Sequence, residues 1–579
     1  MKRIVSVMLC MLLLLSAVSG CAQTKKEAAA SQSEMSAAQA TSAEVPAQTS
    51  EQIQEPELAS TSEQEDEAVR HEEIPPTVFP LTEDVVTLRY FTLPPANFKE
   101  VFSTWADLPS LKQMEERANV HIEWIEPSFE ALSTQFNLVV ASGDMPDIFN
   151  TGSNAYAGGR KKAVEDGVFM DLTELIYEYA PNYAALLEDP MVFRYIADDD
   201  GSISSFQEIY DEQTPTFGNL IRKDWLDKLG LDIPKTYDDY TEVLTAFKQE
   251  FSPAAPYLMP QVCQSGTTLA AGFGTPGYWA SEEKSGSHFY VQDGQIHSAL
   301  VEDGYRDYLD LMHQWYEKGL ISVDFITLSD SFIDNTRTGL ITSGETGIFY
   351  SGVSFSSIYK DAAIDPDFEI VGIPDAVPQE GDQIHFLLNN RVNYDACLTI
   401  STDCEYPEIA VQWLDYWYSE EGSNIYNFGI EGESWTPGAD GTPELTELVI
   451  HNEWDVPASK AISAFSMTTN LTGYCQQKRL SMFFVDYQLE TIDNWMSNAD
   501  SEYLIPSLNM DEEHNQVFSQ YLSDIETYAM ECVSQFIIGD MDMSQWDSFV
   551  ATLRDMHMDE CISIYQEAYD KWLNKQPAI

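Results

Sequence analysis

The stretch Phe136–Asn150, FNLVVASGDMPDIFN, decides how the rest of the chain is read. Leu132, Phe136, Val139 and Val140 recur at the spacing of one helical face, and Gly143 tolerates the left-handed backbone of a helix stop. Pro146 cannot continue a helix and pushes Met145 toward extended backbone. Ile148-Phe149 is therefore expected as a short apolar strand running into the loop Asn150-Thr151-Gly152-Ser153-Asn154. In open α/β sheets ligands lie beyond the carboxyl ends of strands, which makes this loop a candidate ligand contact. A packed helix–strand corner would produce the same spacing.

The flanks continue the pattern. Before the stretch, Val85 to Tyr90 reads as a first strand, Phe98 to Ala118 as a helix with Leu111, Met114 and Ala118 inward, and Val120 to Ile125 as a second strand. After it, Asp171 starts a helix carrying Leu172, Leu175, Ile176 and Tyr179. This alternation argues for an α/β sheet with helical cover. Further on, Gly230 ends one helix, and Thr236 with Asp239 forms a capping box for the next, whose inner face is Tyr240, Val243, Leu244 and Phe247. Gln292-Asp293-Gly294-Gln295 is a hairpin turn, and a helix from Asp303 to Lys318 ends at Gly319.

At the N-terminus, Lys2 and Arg3 precede an apolar run from Ile4 to Val18 that is too short to span a bilayer comfortably, closing on Ser19 and Gly20 before Cys21. This is the pattern of a signal peptide. Val18-Ser19-Gly20-Cys21 looks like a bacterial lipobox, implying cleavage before Cys21 and lipidation of its thiol; a plain secretory signal with an incidental cysteine is the alternative. Several acyl chains would hold the mature protein on the outer face of a membrane. From Ala22 to about Pro76 Ala, Ser, Gln, Thr and Glu dominate, a composition that cannot offset the entropy of ordering and reads as an acidic tether.

The remainder, from about residue 82 to 579, is too long for one core and suggests two lobes. With 30 basic and 95 acidic residues the formal charge is −65, which argues against nucleic acid and anionic lipid as direct ligands, since both call for the opposite sign. Cys263, Cys397, Cys404, Cys475, Cys532 and Cys561 form no CxxC pair or Cys–His cluster, so no zinc site is expected, and most should be reduced and buried. Gly272 to Gly277 matches GxGxxG only formally, since no strand precedes it and Pro276 spoils the helix start. GxSxG, HExxH and phosphate-loop patterns are absent. Asp198-Asp199-Asp200-Gly201 is a poor calcium loop and a good hairpin turn. No cofactor or metal is expected.

Several collinear blocks carry a resemblance: LVVASGDMPDIF, VEDGVFMDLTELIYEYAPN, IRKDWLDKLGLDIPKTYDDY, WYEKGLI at 315–321, CEYPEIAVQWLDYWYSEEGSNIYNFGIEGESW at 404–435 and the closing segment 536–572. Together they resemble the extracellular solute-binding lipoproteins of bacterial ABC importers, in the long-chain branch associated with oligosaccharide uptake in Gram-positive organisms. The match departs at Asp198 to Thr216, where that family usually has a shorter hairpin. The resemblance implies an α/β, two-lobed periplasmic-binding-protein-like fold of the maltose-binding type (type II) with a hinge. Lobe 1 would hold 82–205 and 345–397, and lobe 2 would hold 206–344 and 398–579, after a signal peptide at 1–20 and a lipidated tether at 21–81. It further implies a monomeric, membrane-anchored receptor that delivers an oligosaccharide to ABC permease subunits without catalysis.

Sugar rings offer an apolar face to Trp or Tyr and hydroxyls to planar polar groups. By that chemistry the candidate ligand contacts are Trp279, Trp435 and Tyr350 as stacking rings, Glu433 beside Trp435, Arg222 as a fork, and Asn150, Thr151, Ser153 and Asn154 from the opening loop. Each has a structural alternative: loop packing for the aromatics, a salt bridge for Arg222, a simple turn for the loop. A peptide-binding or sensory lipoprotein of the same fold is the competing reading, and a glycoside hydrolase with paired acids a more distant one.

Overall fold

The computed structural model describes residues 74–95, 102–152, 155–212, 214–259, 269–277, 287–328, 334–386, 391–439, 441–468 and 470–578. The signal peptide, Cys21, the acidic tether up to residue 73, Ser153, Asn154, Cys263 and Trp279 lie outside them. Two sheets organise the described chain. The first has six strands in the order β14-β4-β11-β3-β1-β2, from β1 (Val86–Phe91), β2 (Val120–Ile125), β3 (Ile148–Thr151), β4 (Phe206–Tyr210), β11 (Val392–Ile400) and β14 (Tyr474–Cys475). The second has four in the order β10-β5-β9-β6, from β5 (Phe217–Arg222), β6 (Ala255–Leu258), β9 (Thr346–Gly352) and β10 (Ile370–Gly372). Two hairpins complete the set, β7 (Phe289–Gln292) with β8 (Gln295–Ser298), and β12 (Trp435–Pro437) with β13 (Pro443–Leu445).

The local readings largely hold. The helix Leu132–Ser142 stops at Gly143, whose φ is 69°, and Ile148 and Phe149 of β3 are fully buried. Leu132, Val139 and Val140 are only half-buried, so Phe136 alone anchors that helix in depth. The Thr236–Asp239 capping box is present, and Tyr240, Val243, Leu244 and Phe247 face the core. The β7–β8 turn places Asp293 and Gly294 at φ 52° and 75°, the sign that the tight hairpin turn demands. The expected helix from Phe98 to Ala118 is shorter: a 3₁₀ turn at Trp105–Asp107 precedes a helix that starts only at Pro109, where proline needs no donor.

Each sheet has its own core. Leu88, Ile122, Ile148, Phe206 and Leu398 pack with Tyr183, Trp413 and Tyr418 around the six-stranded sheet. Ile221, Tyr257 and Ile348 pack with Trp315, Tyr305 and the C-terminal helices Glu512–Ile538 and Met558–Leu573 against the other. Full burial of one such aliphatic or aromatic side chain contributes about 1.5–3 kcal/mol.

The sheets correct the expected lobe boundaries. β4, expected in lobe 2, pairs with β11 at Phe206–Leu398 and Gln207–Cys397. β9 and β10, expected in lobe 1, pair with β5 at Ile348–Ile221 and Val371–Ile221. The segment from Cys404 to Cys475, expected in lobe 2, packs on the six-stranded sheet through Trp413, Trp417, Tyr426 and Cys475. Lobe 1 is therefore built from the chain up to β4 and from β11 to β14; lobe 2 is built from β5 to β10 and from the helix Asp486–Met496 onward.

β5 and that last helix approach closely at Gly218, where an added Cβ would sit 2.5 Å from the Trp495 ring. Trp495 is itself buried and donates its indole N–H to the Asn219 carbonyl at 2.9 Å. Gly218→Ala should displace the indole and lower stability by roughly 1–3 kcal/mol, read as a fall in the thermal midpoint; an unchanged midpoint would show that the helix is not held against β5.

Candidate functional site

Strand directions identify one edge of each sheet. β1, β2 and β3 are parallel, β11 runs against β3 and β4, and β14 runs with β4, so β1 to β4 and β14 all end where β11 begins. In the other sheet β9 ends at Gly352 opposite Phe217, the first residue of β5, with β6 parallel to β9 and β10 running toward the same end. The chain passes between these two edges three times, at 211–216, 373–391 and 476–485. A ligand site at strand carboxyl ends thus coincides with the crossings.

The crossings are bonded to one another at the lobe 1 edge, and at the lobe 2 edge the second crossing is bonded to β5 and to the helix region that covers it. On the lobe 1 side the Tyr210 amide donates to the Arg391 carbonyl at 2.8 Å, the Asp211 amide to the Cys475 carbonyl at 3.0 Å, and the Gln477 amide to Asp211 Oδ1 at 2.7 Å. Just behind them the buried Glu208 carboxylate accepts from Tyr210 Oη (2.7 Å), Asn393 Nδ2 (3.0 Å), Tyr426 Oη (3.1 Å) and Cys475 Sγ (3.3 Å). On the lobe 2 side the Asn219 carbonyl accepts from the Ile373 amide and the Trp495 indole, while Asn219 Nδ2 donates to Asp375 Oδ1 at 3.1 Å. Asn498 Nδ2 donates to the Asp375 carbonyl at 3.0 Å. Burial pushes the Asp375 carboxyl up to about 7, and the Asn219 amide pulls part of that shift back.

At the lobe 1 edge, Asn150 at the end of β3 is half-buried and fully engaged. Its Nδ2 donates to Thr92 Oγ1 at 3.2 Å and to the Asn470 carbonyl at 2.7 Å, and its Oδ1 accepts from Thr472 Oγ1 at 2.9 Å. Asn470 Nδ2 in turn donates to the Pro94 carbonyl at 2.7 Å. Asn150 therefore fixes the loop around residue 470 against the ends of β1 and β3, and Thr151 beside it is buried with its carbonyl accepting from Cys397 Sγ.

The remaining candidates among the described residues have other settings. Arg222 is at the far end of β5, fully buried between the Trp225 and Phe368 rings, with Nε and Nη2 on Asp224 at 2.8 and 2.7 Å and Nη2 on Asp365 at 3.0 Å. That is the salt-bridge alternative, realised. Tyr350, expected at a strand end, lies inside β9 opposite Asn219 and is 1% exposed. Trp435 packs on Phe428 in a satellite cluster with Val449 and Ile462, its Nε1 donating to the Gly429 carbonyl at 3.2 Å. Glu433 is exposed, its carbonyl accepting from Thr446 Oγ1 at 2.6 Å. Sequence reading missed Thr92, Asn470, Asn219, Asp211 and Asp375, whose partners lie up to hundreds of positions away. Cys397, Cys404, Cys475, Cys532 and Cys561 are free and buried, as expected. One trio among the described residues, His385, Asp500 and Glu502, brings three potential metal-ligating atoms together, with His385 Nδ1 2.9 Å from Asp500 and 3.7 Å from Glu502. It serves equally as a hydrogen-bonded surface pair.

Two sheets joined by three chain crossings define a two-lobed fold of the solute-binding type, with the crossings as its hinge. The chain belongs to the bacterial extracellular solute-binding proteins, whose family model matches residues 95–424. It is 23% identical over 486 residues to the fructooligosaccharide ABC transporter substrate-binding protein FusA of Streptococcus pneumoniae, covering 80% of this chain and 86% of that one. It is 22% identical to lipoprotein LipO of Bacillus subtilis, covering 76% and 85%. Among solved structures it is similar to an HMO-binding, ABC-transporter-associated solute-binding protein from Bifidobacterium longum infantis, with a TM-score of 0.64, 19% identity, and 85% and 99% coverage.

Asp375 ties the hinge to pH. Its folded carboxyl titrates above the ordinary carboxylate value, so between about pH 4 and pH 7 the native protein holds a proton the unfolded chain has released, and stability falls as pH rises through that window. Asp415, fully buried, is also pushed up to about 7, by burial against hydrogen bonds from Tyr183 and Asn182. Asp375→Asn should flatten the decline measured by denaturant unfolding from pH 5 to pH 7.5 while leaving the Asp415 share; an unchanged slope would show that Asp375 titrates normally.

Proposed function

We propose that this protein is a lipid-anchored receptor on the extracellular face of the cell membrane that captures an oligosaccharide between its lobes and hands it, intact, to the permease of an ABC transporter. The observation that carries the reading is the coincidence of the strand carboxyl ends with three hydrogen-bonded crossings in a chain of the solute-binding family. This geometry supports a hinge between the lobes and a ligand position there, where closure would engage both. Oligosaccharide as cargo is supported by relatives described as binding fructooligosaccharide and HMO. Anchoring is supported by the lipobox at Val18–Cys21. Ligand contacts are assigned to Thr151, the last residue of β3, to Ser153 and Asn154 after it in the chain, and to Trp279 as the stacking ring, with Asn150 holding the edge in shape. The buried settings of Arg222, Tyr350 and Trp435 make them supports of the lobes.

Thermal unfolding of the full-length protein against a panel of plant, host and microbial oligosaccharides and a set of short peptides tests this directly. A ligand bound only by the native state stabilises it by about 2.7 kcal/mol at a hundredfold excess over Kd, enough to raise the midpoint visibly. One glycan class should do so and be recovered uncleaved, and Trp279→Ala should weaken it about tenfold by removing a stacking face. A response to peptides alone would overturn the cargo, and a cleaved glycan would overturn the receptor reading.

A further inference from the structure

Beyond the three covalent crossings, the two lobes touch through the C-terminus. The helix Met558–Leu573 is anchored in the lobe 2 core by Ile564, Tyr569 and Trp572. The chain then leaves that core and reaches lobe 1. Tyr195, on the lobe 1 helix Pro190–Ile196, packs against the cores of both lobes, with its ring 5.4 Å from that of Trp572. Arg194 of the same helix lies over the Trp572 ring at 5.8 Å.

Lys575 completes the contact. Its side chain is 4% exposed, and its ammonium donates to the Ala197 carbonyl at 2.7 Å and the Arg194 carbonyl at 3.3 Å while pairing with Asp199 at 3.5 Å. A cation on the last carbonyls of a helix is favourable because those groups lack intrahelical donors and carry the negative end of the dipole. Arg160 Nη2 donates to the neighbouring Ile196 carbonyl at 3.0 Å, so a lobe 1 cation and a lobe 2 cation share one helix end. Two more bonds follow: the Ala578 amide donates to the Gly201 carbonyl at 3.3 Å, and Asn509 Nδ2, from the lobe 2 segment leading into the helix Glu512–Ile538, donates to Asp199 Oδ1 at 3.4 Å. Gly201, at φ 80°, is close to the tail; a Cβ there would fall 1.8 Å from the Gln576 carbonyl oxygen. The turn Asp198–Gly201, singled out in the sequence as an acidic hairpin, is thus the lobe 1 half of an interlobe joint.

We propose that the C-terminal tail from Lys575 to Ala578 is a latch that holds lobe 2 against the helix end and acidic turn of lobe 1, and that its grip sets the resting angle of the hinge. Residues 202–205 lead from this turn directly into β4 and so to the first crossing, which couples the latch to the hinge strand itself. Rotation of the lobes either pivots at this contact or breaks it. The latch therefore favours the interlobe geometry in which Lys575 reaches the Ala197 carbonyl. This inference rests on the two-lobed hinge and not on the nature of the cargo.

The test measures interlobe distance in the absence of any ligand. Spin labels carried by unnatural residues replacing the exposed Glu116 in lobe 1 and Asp238 in lobe 2 report the distance distribution by pulsed electron resonance in the full-length protein. Deletion of 575–579 should convert a single narrow distribution into a broader one with a displaced peak. Gly201→Val, which expels the tail while keeping Lys575, should do the same. If the deletion variant does not fold, Lys575→Gln, which preserves most of the side chain's packing, is read in its place, with near-ultraviolet circular dichroism confirming the fold. A distribution unchanged in folded variants would overturn the latch, showing the tail to be passive packing. A ligand panel that fails on the wild type would count against the cargo alone.

Discussion

The hydrogen bonding of the three crossings to one another is the constraint on which the rest depends. A single connection between two lobes constrains their relative twist little; three connections, tied to one another at the lobe 1 edge, constrain it far more. The ties are specific. The backbone of 210–211 takes partners from both other crossings, and Asn219 gathers the second crossing and the covering helix onto β5. Behind each tie sits a buried carboxyl group, Glu208 with four donors and Asp375 with the Asn219 amide. Such groups are costly to bury, and satisfying them requires the crossings to be in one arrangement, so they select the geometry of the hinge more than they stabilise the lobes.

The same reasoning separates the two kinds of polar residue that looked alike in the sequence. Arg222 and Asn150 both sit at strand ends and both have groups suited to hydroxyls. Their strands run in opposite senses relative to the hinge: β3 delivers Asn150 to it, whereas β5 starts there and carries Arg222 away to the opposite rim, among Asp224, Asp365 and two aromatic rings. A ligand group is available only at one end of each sheet, and strand direction decides which.

That distinction marks how far the sequence could be read. Gly143, the Thr236–Asp239 box, the Asp293-Gly294 turn and the inward face from Tyr240 to Phe247 are encoded within a few residues, and all are present. Sheet membership is not encoded locally. β9 and β10 have apolar stretches that suit a buried strand in either lobe, β4 interrupts its own with Gln207 and Glu208, and only pairing across long separations assigns the three. Tyr350 follows the apolar pair Ile348-Phe349 and so looks terminal in the sequence, yet β9 continues to Gly352, which pairs with Phe217. Asn150 stands out in the sequence as a candidate, but its structural role does not, since its carbonyl partner at Asn470 is 320 positions away.

Low identity to relatives of the same fold follows from this division of labour. The lobes need apolar residues of suitable size on the right faces, a demand that many sequences meet, so a chain 19% identical to a solved neighbour still aligns over 85% of its length. In the proposed reading, cargo is recognised by residues at and beyond the strand ends, which the scaffold holds but does not dictate. A ligand can shift the lobes only by as much as it binds one arrangement better than the other. Contacts confined to one edge would add affinity without closure; contacts reaching from the Asn150 edge across to the Asn219 edge convert binding into motion.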